Sequence, residues 1–151
     1  MSSACAITDE VKAAIANLQQ LGERTVSLQP VVILKCSKAD MQLKVEDEMK
    51  DCSLESLREE MDPSNPRIIV YRYGVKLDAV KTQMHNCIIF YNPGDYAVEL
   101  KRIYELSFQK LVAAVQPPMK SFTLTDAKDL KDSIVSANIV GLRGKMGDPV
   151  V

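Results

Sequence analysis

Residues 30–36, Pro-Val-Val-Ile-Leu-Lys-Cys, place four apolar residues in a row with no polar alternation. A strand with one face in water could not carry that run, so a strand covered on both faces is required. Residues 67–73 and 87–91 are likewise rich in β-branched and aromatic residues. They predict two strands at the centre of a sheet, joined by a long hairpin loop near Asp78. A sheet buried on both sides needs helices above and below it, and the remaining segments carry helical patterns.

Thr8 can cap a helix whose first turn holds Asp9 and Glu10, with Val11, Ala14, Ile15 and Leu18 on one face and Gly22 as its stop. Met41, Leu43 and Val45 alternate with polar residues and predict a hairpin with the strand at 30–36, turning through residues 37–40. Ser53 caps a short helix that turns Leu54, Leu57 and Met61 inward, and Asp62-Pro63-Ser64-Asn65-Pro66 breaks it. From about Tyr96 to Val115, Leu100, Ile103, Tyr104, Ser107 and Leu111 recur at helical spacing. This predicts the longest helix, ended by Pro117-Pro118. Residues 119–124 read as an edge-like strand, and Thr125 or Asp126 caps a last helix carrying Leu130 and Ile134. The expected organisation is a flexible N-terminus at 1–6, one domain at 7–140 and a flexible tail at 141–151.

Composition narrows the function classes. Nineteen Lys plus Arg against twenty Asp plus Glu leave a formal charge of -1. No global field therefore recruits nucleic acid or an anionic membrane. No stretch approaches the roughly 20 apolar residues of a membrane span, and the start of the chain lacks a signal-peptide pattern, so a soluble cytoplasmic protein is expected. Cys5, Cys36, Cys52 and Cys87 are scattered without a C-x-x-C pair, and His85 is the single histidine. A zinc site is not expected, and the thiols at 36 and 87 read as buried core filling in a reducing compartment. Neither G-x-G-x-x-G nor G-x-x-x-x-G-K-[ST] occurs. No cofactor is expected. The one pair with catalytic potential, His85 and Cys87, shares a strand face but lacks a third orienting group, so no enzyme is expected.

Within this order of elements, Pro66, Arg67, Tyr71 and Tyr73 match a strand ending Tyr-x-Tyr, and Cys87, Ile89, Phe90 and Pro93 match a Cys-Phe-Ile-Phe-x-x-Pro strand. Glu99, Tyr104 and Ser107 open the long helix in a matching pattern, and Lys120, Phe122 and Leu124 form a matching strand. On these residues the chain resembles the glia maturation factors, within the actin-depolymerising-factor/cofilin superfamily. The resemblance implies an α/β fold of the actin-depolymerising-factor homology type, a mixed β-sheet sandwiched between α-helices. It also implies a monomeric, non-enzymatic protein of the cortical actin cytoskeleton. Such a protein would bind the actin-related protein 2/3 complex, inhibit branch nucleation and promote debranching. The alternative is a cofilin-like protein that severs or depolymerises actin. Phe108, where cofilins usually carry a lysine, weighs against it.

Glu99, Lys101 and Arg102, at the start of the long helix, are the expected charged contacts of the partner surface. Tyr104 and Ser107 belong to the same candidate set through the resemblance, although they fall on the apolar stripe and read as packing residues. Lys120, Asp126 and Lys128 are expected to form a second contact surface. Ser2 and Ser3, beside the docking face, are candidate phosphorylation sites whose added charge of roughly -2 would repel an acidic partner.

Overall fold

The computed structural model of the 151-residue chain describes residues 3–21, 28–76, 78–80, 82–94 and 96–140. In chain order these form β1 (Ala6–Ile7), α1 (Asp9–Leu21), β2 (Val31–Ser37), β3 (Gln42–Met49), α2 (Leu54–Glu60), β4 (Arg67–Lys76), β5 (Thr82–Tyr91), α3 (Val98–Ala114) and β6 (Lys120–Leu124). A 3₁₀ turn (Ala127–Asp129) and α4 (Asp132–Val140) follow. The six strands make one sheet in the order β1-β3-β2-β4-β5-β6. The four inner strands pair antiparallel, while β1 and β6 join the two edges in parallel, giving the expected mixed sheet.

Side chains alternate faces along a strand, so an unbroken apolar run feeds two cores at once. On one face Val32, Leu34, Ile68, Val70, Ile88 and Phe90 pack under α1 and α3. On the other, Val31, Ile33, Ile69, Tyr71, Cys87 and Ile89 meet Leu54 and Leu57 of α2 and Val135 and Ile139 of α4. Each fully buried aliphatic side chain contributes about 1.5–3 kcal/mol, and the sheet holds both layers of helices.

The caps foreseen for α1 and α2 are present. Thr8 Oγ1 accepts from the Val11 N–H at 3.4 Å and donates to the Leu43 carbonyl at 2.9 Å, which fixes the start of α1 onto β3. Ser53 Oγ accepts from the Ser56 N–H at 3.1 Å. Gly22, read as the stop of α1, lies outside the described residues.

Two expectations need correction. The strands run further than expected: β4 and β5 stay paired from Arg67↔Tyr91 out to Lys76↔Thr82, through the polar stretch read as a long loop. Ladder hydrogen bonds come from the backbone, so the polar side chains of residues 82–86 did not end the strand. Gly74 permits the close pairing, because a Cβ there would stand 2.9 Å from Thr82 Cγ2 and 3.0 Å from Met84 Sδ. The last helix is divided. Asp126 caps only the 3₁₀ turn, Leu130 leaves helical geometry at ψ 73°, and α4 begins afresh at Asp132. The Leu130 carbonyl freed by that break accepts both Nε and Nη2 of Arg58, at 3.1 and 2.9 Å. Helix α4 then continues through Val140; the expected tail at 141–151 lies outside the described residues.

Within the N-terminal stretch expected at 1–6, residues 5 and 6 are tied to the sheet. Cys5 is fully buried, and the Ala6 N–H donates to the Met41 carbonyl at 2.9 Å as β1 joins β3. Without β1, strand β3 would present an open edge, and two residues suffice to cover its start. Among the described residues no helix is long and apolar enough to cross a membrane.

Candidate partner interface

Helix α3 owes its placement to a stripe of Ile103, Tyr104, Ser107 and Leu111, all buried against the sheet. The Tyr104 ring lies parallel to that of Phe90, with centroids 6.2 Å apart, and Phe108 tilts against Phe90 at 5.4 Å. The polar atoms on this stripe have assigned partners. Strand β4 pairs β2 only as far as Leu34↔Ile68, so the Cys36 N–H has no strand to donate to. Instead it donates to the Tyr104 hydroxyl at 3.0 Å. Burial pushes the Tyr104 phenol up to about 12, which keeps that hydroxyl protonated. Ser107 Oγ accepts the buried Cys5 N–H at 2.8 Å.

Tyr104 and Ser107 are 2% and 1% exposed. They therefore cannot touch a partner; they fasten β2 and the N-terminal segment to α3. That corrects the expectation of direct contact and strengthens the packing reading.

The outward side of α3 carries the charges. Glu99 and Arg102 are exposed and Lys101 is half-buried. Lys38, from the β2–β3 turn, forms a salt bridge to Glu99 and holds its carboxyl below the usual carboxylate range. Lys101 lies over the Tyr96 ring, 5.6 Å from its centroid, and the Tyr96 hydroxyl donates to Asn92 Oδ1 at 2.6 Å. A cation held over a ring at an exposed site gains about 0.5–1 kcal/mol, which restrains the Lys101 side chain. Lys110 Nζ donates to the Cys5 carbonyl at 3.4 Å. The N-terminal segment and α3 thus form one continuous face with Ser3 exposed beside it. Ser2 lies outside the described residues.

Sequence reasoning missed three contributors to this face. Lys38 and Tyr96 meet α3 only through the fold. Val98 was legible: an apolar residue directly before Glu99, on the polar side of the helix, is 82% exposed. An exposed aliphatic residue among charges suits a contact surface.

The second expected surface is not assembled. Lys120 starts β6 opposite Cys87, whereas Asp126 and Lys128 follow the other end of that strand, beyond Leu124↔Tyr91. At about 3.3 Å per residue, the strand holds them well apart. Lys128 instead pairs with Asp126 at 3.5 Å, and Asp126 Oδ1 accepts the Lys128 N–H at 3.0 Å as a cap.

The His85 and Cys87 pair is unsuited to nucleophilic chemistry. Cys87 is fully enclosed in the core shared with α2 and α4, and burial pushes its thiol up to about 12. A reactive cysteine needs the opposite shift and an open approach. His85 Nε2 is buried with no hydrogen-bond partner among the described residues, and burial followed by nearby Lys120 depresses its basicity. All four cysteines are free and buried. Among the described residues no group of three His, Cys, Asp or Glu side chains could hold a metal ion.

Comparison with known proteins places this geometry. The family profile described as cofilin/tropomyosin-type actin-binding protein matches residues 4–139. The chain is 25% identical to glia maturation factor beta of Mus musculus over 132 residues, covering 87% of this chain and 92% of that protein. In fold it is similar to the solution structure of glia maturation factor from Caenorhabditis elegans, with a TM-score of 0.68, 22% identity, and coverage of 90% and 96% of the two chains. It is also similar to the crystal structure of Streptomyces griseoflavus cofilin, with a TM-score of 0.73, 17% identity, and coverage of 91% and 98%.

Proposed function

The chain belongs to the cofilin/tropomyosin-type actin-binding protein family, and from that premise we propose that it is a non-enzymatic regulator of branched actin. It binds the actin-related protein 2/3 complex as a monomer, inhibits branch nucleation and promotes debranching in the cortical cytoplasm. The observation that carries this reading is the face made by α3 and the N-terminal segment. There Val98, Glu99, Lys101 and Arg102 stand outward on a helix whose inner side is fixed by stacking on Phe90 and by the Tyr104 and Ser107 hydrogen bonds. A rigid element presenting charges around an apolar contact loses little ordering entropy on docking. The matched relatives named glia maturation factor support the choice of the branch machinery over bare filaments.

The mechanism is differential binding. A protein that binds the branch-incompetent arrangement of the complex more tightly than the branched one shifts the equilibrium between them. About 1.4 kcal/mol of difference gives a tenfold shift. No covalent chemistry is required. The test is a titration of the purified complex with the native chain and with the Lys101→Glu, Arg102→Glu double variant. The native chain is expected to bind saturably and the variant at least tenfold more weakly with its fold intact. Equal affinity of the two would remove α3 from the contact. Absence of binding by the native chain, together with binding to bare filaments, would make the protein cofilin-like.

A further inference from the structure

Helices α1 and α3 lie side by side on the sheet, and a groove of about 290 Å³ runs between them. Ile15 of α1, Leu111 of α3 and Val115 just past its end form an apolar floor packed into the core. The rims are Ala16 and Ala114, both exposed, whose short methyls leave a notch between the helices. At one end the Gln19 amide donates to the Gln116 carbonyl at 3.3 Å and ties the two helices together. At the other end stand Ile7 of β1 and Lys12. Lys110 belongs to that end as well, since its Nζ donates to the carbonyl of Cys5, two positions before Ile7. Among the described residues no acidic side chain lines the groove.

We propose that this groove docks an acidic segment of a partner protein, which seats one apolar side chain between Ala16 and Ala114 and sets carboxylates against Lys12 and Lys110. Size decides the kind of occupant. Free small-molecule ligands fill sites of roughly 300–1,000 Å³, so a groove at the bottom of that range takes a single anchoring side chain better than a whole molecule. Anchors of this kind, seated in a pocket and ringed by polar groups, dominate the energy of an interface. Charge decides the sign. Two lysines at the mouth of a groove that no carboxylate lines attract an acidic segment and disfavour a basic one.

The groove is continuous with the contact face described above. Ile7 and Lys12 follow directly on the N-terminal segment, and Lys110 and Leu111 lie about one turn beyond Ser107 on α3. Lys12 and Gln19 are seven positions apart on α1, which at 1.5 Å per residue is about 10 Å, so the occupant is a short segment. Assigning that segment to the actin-related protein 2/3 complex rests on the function proposed above, whereas the chemistry of the groove does not.

The experiment titrates the isotope-labelled full chain with the acetylated pentapeptide Glu-Glu-Phe-Glu-Glu and follows backbone amide shifts by nuclear magnetic resonance. Saturable shifts are expected at Ile15, Ala16, Leu111, Ala114 and Val115, together with Lys12 and Lys110. Replacing the peptide's Phe by Ser, or its Glu residues by Lys, is expected to weaken binding at least tenfold. Ala16→Phe and Ala114→Phe, which fill the notch from exposed positions on two different helices, are each expected to do the same while the remaining amide spectrum stays native. Absence of groove shifts, shifts confined to other basic surfaces, or unchanged affinity in both variants overturns the proposal. A parallel titration of the purified complex separates this inference from the branched-actin reading. If the native chain binds the complex and Ala114→Phe binds it at least tenfold more weakly, the complex supplies the acidic segment; equal affinity of the two overturns that assignment. Peptide binding in the groove with no binding of the complex refutes the branched-actin reading and upholds the groove.

Discussion

Replacing Ser107 with alanine removes one hydroxyl on which the attachment of the N-terminal segment depends. The Cys5 N–H donates to it at 2.8 Å in a buried environment. An orphaned buried N–H costs about 1–3 kcal/mol. The chain can relieve the cost without unfolding, because Cys5 precedes a two-residue strand, and among the described residues its segment is otherwise held by the β1–β3 pairing, the Ala6 N–H to Met41 carbonyl bond and the Lys110 contact. At about 1.4 kcal/mol per factor of ten, the population with β1 detached is expected to rise about 5- to 150-fold.

Maleimide labelling read cysteine by cysteine by mass spectrometry measures that population. In Ser107→Ala, Cys5 is expected to label about 5- to 150-fold faster than in the native chain. Cys87, enclosed on the far side of the sheet, is expected to keep its rate. Tyr104→Phe is the matched control. It strips the acceptor from the Cys36 N–H, but β2 cannot detach alone. Global stability is then expected to fall by about 1–3 kcal/mol without selective exposure of Cys5. If the Cys5 rate in Ser107→Ala stays within about twofold of native, or if Cys5 and Cys87 accelerate together, then Ser107 does not anchor the N-terminal segment.

Other expectations follow from the same structure. Leu57→Ala empties a fully buried site between α2 and the sheet and is expected to cost about 2–5 kcal/mol, read from the urea midpoint. Burial holds the Tyr73 and Tyr104 phenols protonated up to about 12 against an ordinary 10. The folded state thus binds those protons more tightly than the unfolded one. Their contribution is full below pH 10 and is lost as pH rises towards 12, by up to about 1.4 kcal/mol per pH unit for each phenol; denaturation midpoints between pH 9 and 12 check it. Cys87, proton-bound and enclosed, is expected to resist alkylation in the native chain, and stoichiometric labelling there would revive a reactive role. Lys101→Glu with Arg102→Glu is expected to lower stability by only about 0.5–1 kcal/mol, the worth of the lost Lys101 contact with the Tyr96 ring, read as a small drop in Tm.

Elements whose cause is local were legible in the sequence. The caps at Thr8 and Ser53, the doubly covered strand at 30–36 and the stripe of α3 each follow from residue type and spacing, and each stands where those dictate. What escaped the sequence has a non-local cause. β1 is two residues long and exists because β3 offers it an edge. The outer half of the β4–β5 hairpin is polar in side chain, so no hydrophobic pattern marks a ladder held by the backbone. The split before α4 depends on Arg58 taking the Leu130 carbonyl from another element. The candidate face was half legible for the same reason. Glu99, Lys101 and Arg102 sit on a helix whose periodicity gives their direction, whereas Lys38, Tyr96 and the buried Cys5 reach that face only through tertiary structure.

Branch lifetime on preformed branched actin filaments, followed by single-filament fluorescence microscopy with unbranched filaments in the same chamber, tests the functional reading most directly. Added protein is expected to shorten branch lifetime while unbranched filaments stay intact, and the Lys101→Glu, Arg102→Glu variant is expected to lose most of that effect. Severing of the unbranched filaments, or branch lifetimes unchanged at saturating protein, would contradict it.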